Sequence, residues 1–252
     1  MKMDTSFWTQ LNPTVKCIET KKKFFNQYLY KAVVHTPGCR IINDNKILYK
    51  GVEHLLNQRI NLLESTANYR IGSWSSSYTQ RRVEYLKVHA RIDQLEYWIS
   101  IRNALKGSIK LRLEEPNLSV YCNDQELLYC LLVKNYPERV EEIHSPANEK
   151  SIEILNRGEI IFKSYPEFQY KIMLRENKIK DVETKRTLLD YLYNLGDDEV
   201  CLTKSLVKHL GSNHMWFPGG YFYAKDEKIV TFINLIAPEC IAGIYKLSNP
   251  DL

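Results

Sequence analysis

Apolar and polar residues alternate along Phe168–Arg175. Phe168, Tyr170, Ile172 and Leu174 fall on one side, and Gln169, Lys171, Met173 and Arg175 on the other. A period of two is that of a half-buried strand. The same period runs through Gly220–Lys225, where Tyr221, Tyr223 and Lys225 oppose Phe222 and Ala224. Elsewhere the period lengthens to three and four. Ile229, Phe232, Ile233 and Ile236 make one helix face, as do Leu188, Leu189, Leu192 and Leu195 behind a capping Asp181. The pattern predicts β (Phe168–Arg175), α (Val182–Leu195), β (Glu199–Leu202), β (Gly220–Lys225), α (Glu227–Ile236) and β (Ile241–Leu247). A small helix, Thr203–Leu210, is inserted between the middle strands and stopped by Gly211.

The earlier part of the chain reads less regularly. Met1–Lys23 looks loosely structured, and Phe24–His35 is aromatic and β-branched, as strands are. Cys39–Tyr49 suits a hairpin, Val52–Leu63 an amphipathic helix and Tyr69–Trp74 a short strand. Ser77 with Gln80 matches a capping box and predicts one helix running to about Ala104, closed by Gly107. Tyr85, Val88, Ile92, Leu95 and Ile99 form its buried stripe. Arg81, Arg82, Lys87 and Arg91 crowd its first half, where the helix dipole disfavours cations. A bound anion or simple solvent exposure accounts for that placement. Ser108–Leu113 and Asn117–Cys122 read as a hairpin around Glu114-Glu115-Pro116. A helix, the strand Val140–His144, a short helix opened by Ser145-Pro146 and the strand Glu159–Lys163 follow.

Two stretches match each other. Asn117–His144 and Gly219–Leu247 both read strand, turn, helix, strand. Tyr121 and Asp124, the latter placed to cap the helix after it, answer Tyr223 and Asp226, and Leu127-Leu128 answers Ile229-Val230. With a one-residue gap, Pro137-Glu138 answers Pro238-Glu239, and Ile143 answers Ile244. The expectation is an α+β protein of two ferredoxin-like (split βαβ) halves, with antiparallel sheets and helices on one face. Residues 1–66 form an N-terminal strand and helix segment, separate from the first half or part of it; 67–145 are the first, degenerate half and 146–252 the second. This element order resembles tandem ferredoxin-like arrangements, including those of RNA-recognition domains and of RNA-processing proteins in CRISPR systems. The stretch GYFYAK is also similar to the aromatic third-strand motif of RNA-recognition domains, with Phe222 where that motif has a small residue.

The composition of the 252 residues, 44% apolar and 26% charged, is that of a folded globular protein. No apolar run is long enough to cross a bilayer, and MKMDTSFWTQLNP lacks the apolar core of a signal peptide. The six cysteines form no CxxC pair and read as reduced. A cytoplasmic protein without membrane partners is expected, in the host cytoplasm if the chain is viral. Abundant Lys, Asn, Ile and Tyr suit an AT-rich genome, a phage or virus included. The formal charge of +5 permits a nucleic-acid partner without requiring one.

The chemistry-bearing motifs are mostly absent. There is no HExxH and no paired Cys/His spacing, and Pro37-Gly38 keeps His35 and Cys39 off a shared helix. Phosphate-loop, dinucleotide and GxSxG patterns are missing, so no cofactor or metal is expected. Adjacent Glu114 and Glu115 would face opposite ways in a strand.

The alternation leaves Lys171, Arg175, Tyr221, Tyr223 and Lys225 on an open sheet face. Rings with interleaved cations are what single-stranded RNA recognition uses. The first expectation is therefore a non-catalytic protein that binds single-stranded RNA or DNA through these five residues, with Arg81, Arg82 and Arg91 as a second patch. An alternative is a viral or phage assembly protein that uses Trp216, Phe217, Tyr221 and Tyr223 against another subunit or a protein partner. A further alternative is a metal-free ribonuclease using His209 or His214.

Overall fold

The computed structural model describes residues 5–44, 51–69, 74–133, 136–162 and 167–250. The chain is mixed α+β, with two five-stranded open sheets and, among the described residues, nine α-helices. It divides into two compact units, Met1–Ala147 and Asn148–Leu252.

In the first unit α1 (Thr5–Leu11), β1 (Lys16–Glu19) and β2 (Tyr30–His35) precede three helices: α2 (Val52–Tyr69), α3 (Trp74–His89) and α4 (Ile92–Ala104). The hairpin of β3 (Lys110–Glu114) and β4 (Asn117–Cys122), α5 (Gln125–Val133) and β5 (Val140–Ser145) complete it. The sheet order is β1-β5-β2-β4-β3, antiparallel except for the parallel edge pair β1–β5. Ala32, Val34, Leu118, Val120 and Ile143 alternate onto one face and are buried there. Leu95, Trp98, Leu128 and Leu132 of the helices are buried as well. Asp124 accepts from the amides of Glu126 and Leu127 and so opens α5, as the sequence predicts.

The second unit runs α6 (Glu149–Asn156), β6 (Ile160–Ile161), β7 (Tyr170–Leu174), α7 (Val182–Asn194), β8 (Val200–Leu202), α8 (Lys204–Leu210), β9 (Gly220–Ala224), α9 (Ile229–Ile236) and β10 (Ile241–Ser248). Its sheet order is β6-β10-β7-β9-β8, again antiparallel except for one parallel edge pair, β6–β10. Matched strand for strand in chain order, the two sheets have the same neighbours and the same senses. The core of this unit joins Ile172, Leu174, Phe222 and Val200 of the sheet to Leu188 and Leu192 of α7, Leu206 of α8 and Ile233 of α9. Phe217 and Phe222 are wholly buried, each contributing roughly 1.5–3 kcal/mol of apolar burial.

Several sequence expectations are corrected. Met1–Lys23 is not loose throughout: α1 and β1 form within it, and β1 adds to the sheet edge beside β5. The 3₁₀ turn Cys39–Asn43 replaces the start of the expected hairpin, whose remainder lies outside the described residues. Of the expected strand Tyr69–Trp74, Tyr69 ends α2, Trp74 opens α3, and residues 70–73 lie outside the described residues. The helix expected from Ser77 to Ala104 is two helices, parted at Ala90-Arg91, where Arg91 is extended (φ −117°, ψ 116°) and caps α4. That break turns Val88 out to solvent and leaves Val83 and Leu86 as buried residues of α3. Asn148, rather than Ser145, caps α6 by accepting from the Ser151 amide. The sheets are antiparallel only in part, because each ends in a parallel pair.

Candidate nucleic-acid interface

The glycines before β9 set up the surface. Gly219 has φ +82°, and a Cβ there would stand 3.0 Å from the Leu174 carbonyl. A Cβ on Gly220 would meet Leu206 at 2.9 Å. The pair lets the chain enter β9 tight against both β7 and α8, which fixes the register of the strand that follows.

With Phe222 facing the helices, Tyr221 and Tyr223 turn to the opposite face. Cross-strand partners share a face. One row there is Cys201, Tyr223, Lys171 and Tyr245; the next is Tyr221, Met173 and Gly243. The Tyr221 and Tyr223 rings meet edge-to-face at 5.7 Å, and Phe162 meets Tyr223 at 6.4 Å. The Lys171 ammonium stands 3.7 Å from the Tyr221 ring centroid. Tyr245 lies across the next row, since a Cβ on Gly243 would stand 2.9 Å from its hydroxyl. These rings are half-buried, and burial, with Tyr221 alongside, raises the Tyr223 phenol above its ordinary pKa. The surface thus offers aromatic rings with a cation already seated on one of them.

The structure brings Lys171, Tyr221 and Tyr223 together and sets Arg175 and Lys225 at opposite ends of them. Arg175 lies one residue past β7, just beyond the Leu174–Gly220 pair, and its Nε donates to the Ile241 carbonyl at 3.0 Å. Lys225 lies one residue past β9, just beyond the Tyr170–Ala224 pair, and is exposed. At ~3.3 Å per residue the two are roughly 20 Å apart along the strands. Tyr245 and Phe162 are additions that sequence reasoning missed. Tyr245 carries the right alternation, but its row is fixed only by the pairing of β10 with β7.

The first sheet holds the equivalent row. Tyr121 pairs with Lys31 on one side and Lys110 on the other, as Tyr223 pairs with Lys171 and Cys201. Here the rings are closed over. Phe24, Phe25 and Tyr28 pack around Tyr121 at 5.0–6.3 Å, leaving it 3% exposed. Lys110 sits 3.6 Å above the Phe25 ring.

The expected second patch does not assemble. Because α3 starts at Trp74, Arg81 and Arg82 lie in its middle and Lys87 in its last turn, where the dipole favours a cation. The crowding of cations at a helix start therefore disappears. Arg81 is exposed. Arg91 forks onto Asp93 at 3.2–3.3 Å and lies 5.4 Å from the Tyr136 ring. Tyr136 also donates to Asp93, and these partners hold the Asp93 carboxyl below its ordinary pKa.

Arg82 instead reaches Glu115, together with Arg59. Their Nη2 atoms donate to the same Oε2 at 2.7 and 2.8 Å. Arg40 Nε stands 3.8 Å from that oxygen, and the Gly38 amide donates to Oε1 at 3.2 Å. Sequence reasoning set Glu115 aside because it and Glu114 would face opposite ways in a strand; its partners lie far off in the chain. Cys39, beside this group, has its thiol pushed up to about 12 by burial and by Glu115, which keeps it protonated and unreactive.

A second group missed by sequence reasoning lies on the same unit. His35 Nδ1 is 3.2 Å from Glu141 Oε1, and its Nε2 meets the Tyr85 hydroxyl. Asn117 donates to the other Glu141 oxygen at 2.9 Å. A carboxylate on one ring nitrogen and a phenol on the other can pass a proton. By contrast the His214 ring is exposed and has no hydrogen-bond partner among the described residues; only its carbonyl is engaged, by the buried Lys185.

Among the described residues no group of three His, Cys, Asp or Glu is arranged to hold a metal ion, and no helix is long and apolar enough to cross a membrane. Comparison with known protein families, with curated proteins and with solved structures finds no match for this chain.

Proposed function

We propose that the chain binds single-stranded nucleic acid, RNA foremost, through the β7–β9 face, and that it does so without catalysis. The observation that carries this is the Tyr221–Tyr223–Lys171 group on the sheet face opposite α7 and α9. Bases stack on such rings while nearby cations meet phosphates. Arg175 and Lys225, at the two ends of the strand pair, suit a backbone running along the strands. We further propose that each unit is a ferredoxin-like split βαβ with one added edge strand. The support is the strand order. Without the edge strand, each sheet reads last, first, third, second, with antiparallel neighbours and helices in the two crossovers.

The test is titration of labelled single-stranded RNA at low and moderate salt. Binding is expected to weaken steeply with salt. Tyr223→Ala removes one stacking platform, worth about 1–3 kcal/mol per base, or roughly 5- to 150-fold in Kd. Unchanged affinity in that variant would remove the site from this face.

A second reading, an assembly protein, is favoured by one observation. Met215 is 76% and Trp216 62% exposed in the loop before β9. Phe217, expected beside them in the interface, is wholly buried and takes no part. Sedimentation separates the readings: a monomer at micromolar concentration counts against assembly, and loss of self-association in Trp216→Ser supports it.

A further inference from the structure

We propose that Arg40, Arg59 and Arg82 form a binding site for a dianionic terminal phosphate, as carried by a nucleotide or by the 5′ end of RNA. The site lies in the first unit and does not depend on the β7–β9 face.

Three guanidinium groups converge on one carboxylate, so three positive charges face a single negative one. The surplus is two. Two neighbouring carboxylates are already engaged. Glu114 is paired with Arg112 at 2.6 Å, and Glu141 is held by His35 and Asn117. A monoester dianion would balance the surplus, whereas an internal phosphodiester, with one charge, would balance half of it.

The geometry agrees with the charge. The Glu115 side chain is only 4% exposed and is satisfied by Arg59, Arg82 and the Gly38 amide. It needs no third arginine. Arg40 stands beyond hydrogen-bond length at 3.8 Å and keeps 53% of its side chain in solvent. Arg59 Nε is buried and has no hydrogen-bond partner. An unpaired buried donor is costly to leave unmade, and a guanidinium fork is suited to a phosphate. Glu115 thus acts as a brace: it holds Arg59 and Arg82, each one-quarter exposed, side by side and leaves Arg40 in solvent for a ligand. Gly38, whose amide meets Glu115, has φ +84° and would bring a Cβ to 3.1 Å from Leu56, so a side chain at this turn beside Arg40 would be strained.

The experiment is calorimetric titration of the full chain with inorganic phosphate, at ionic strength held constant with chloride. Saturable binding is expected. Arg40→Ala, which leaves both close Glu115 contacts in place, should weaken it by about tenfold or more. Glu115→Gln raises the surplus from two charges to three but loosens the brace; it should lower stability in chloride, and phosphate should restore part of that loss. A purely structural cluster predicts the same loss of stability with no restoration by phosphate. Comparing a nucleoside 5′-monophosphate with 5′-phosphorylated and 5′-hydroxyl RNA separates the sources. Preference for the phosphorylated RNA identifies the RNA end; tight nucleotide binding with equal affinity for the two RNAs identifies the nucleotide. Absence of phosphate binding, or binding unchanged in Arg40→Ala, overturns the proposal.

Discussion

Substituting Glu115 by Gln removes a buried negative charge from between three cations while keeping the side chain's shape. Two charge-assisted hydrogen bonds, at 2.7 and 2.8 Å, lose their ionic partner. Breaking a buried ion pair on one side costs about 3–5 kcal/mol. Arg59 and Arg82 are each one-quarter exposed, so water takes up part of that loss, and the amide oxygen still accepts one bond. The expected cost is roughly 2–4 kcal/mol. For a chain of this size each kcal/mol shifts the melting temperature by about 2–4 °C, so a fall of roughly 4–16 °C is expected. Thermal unfolding followed by tryptophan fluorescence reads it, since Trp98 is wholly buried in the same unit. The loss should persist at high salt, because buried pairs are poorly screened. A melting temperature within about 2 °C of wild type would refute the view that Glu115 holds the cluster together.

Three further outcomes are expected besides the RNA titration of Tyr223→Ala. Lys185→Met leaves the His214 and Trp216 carbonyls without their buried donor, at a cost of about 2–3 kcal/mol; limited proteolysis should then cut within residues 212–219 sooner than in wild type, and an unchanged rate would count against the role of Lys185 as the loop's anchor. Gly219→Ala forces a side chain into left-handed backbone beside the Leu174 carbonyl and should cost about 1–2 kcal/mol in urea unfolding; a neutral effect would show that the entry to β9 is free to shift. His144 has its pKa lowered, chiefly by burial and against the pull of Glu142, with Lys31 also disfavouring its charge. A depressed folded pKa makes the unfolded chain bind the proton first, so this contribution to stability is present above about pH 6.5 and is lost as pH falls towards the folded value. An NMR titration of the His144 ring with its midpoint at or above the ordinary histidine value would contradict this.

Sequence alone determined what depends on near neighbours. The alternation of Gly220–Lys225 fixed which of its residues face the helices, because side chains two apart share a face of a strand whatever it pairs with. The caps at Asp124 and Asp181 were legible because a capping side chain reaches amides only two or three residues on. The match between Asn117–His144 and Gly219–Leu247 marked corresponding fourth strands, helices and last strands in two sheets of equal order. Tertiary structure decided the rest. β1 is a short strand of mixed polarity whose only cue is the β5 edge it pairs with. The helix break at Ala90-Arg91 carries no glycine or proline, and Arg91 leaves the helical conformation there beside Asp93 and Tyr136. Tyr245 joins the Lys171 row through strand register, which local alternation does not specify. Arg59 and Arg82 reach Glu115 across 56 and 33 residues of chain. A charge's partner at that separation is set by which elements pack together, and no spacing rule along the sequence encodes it.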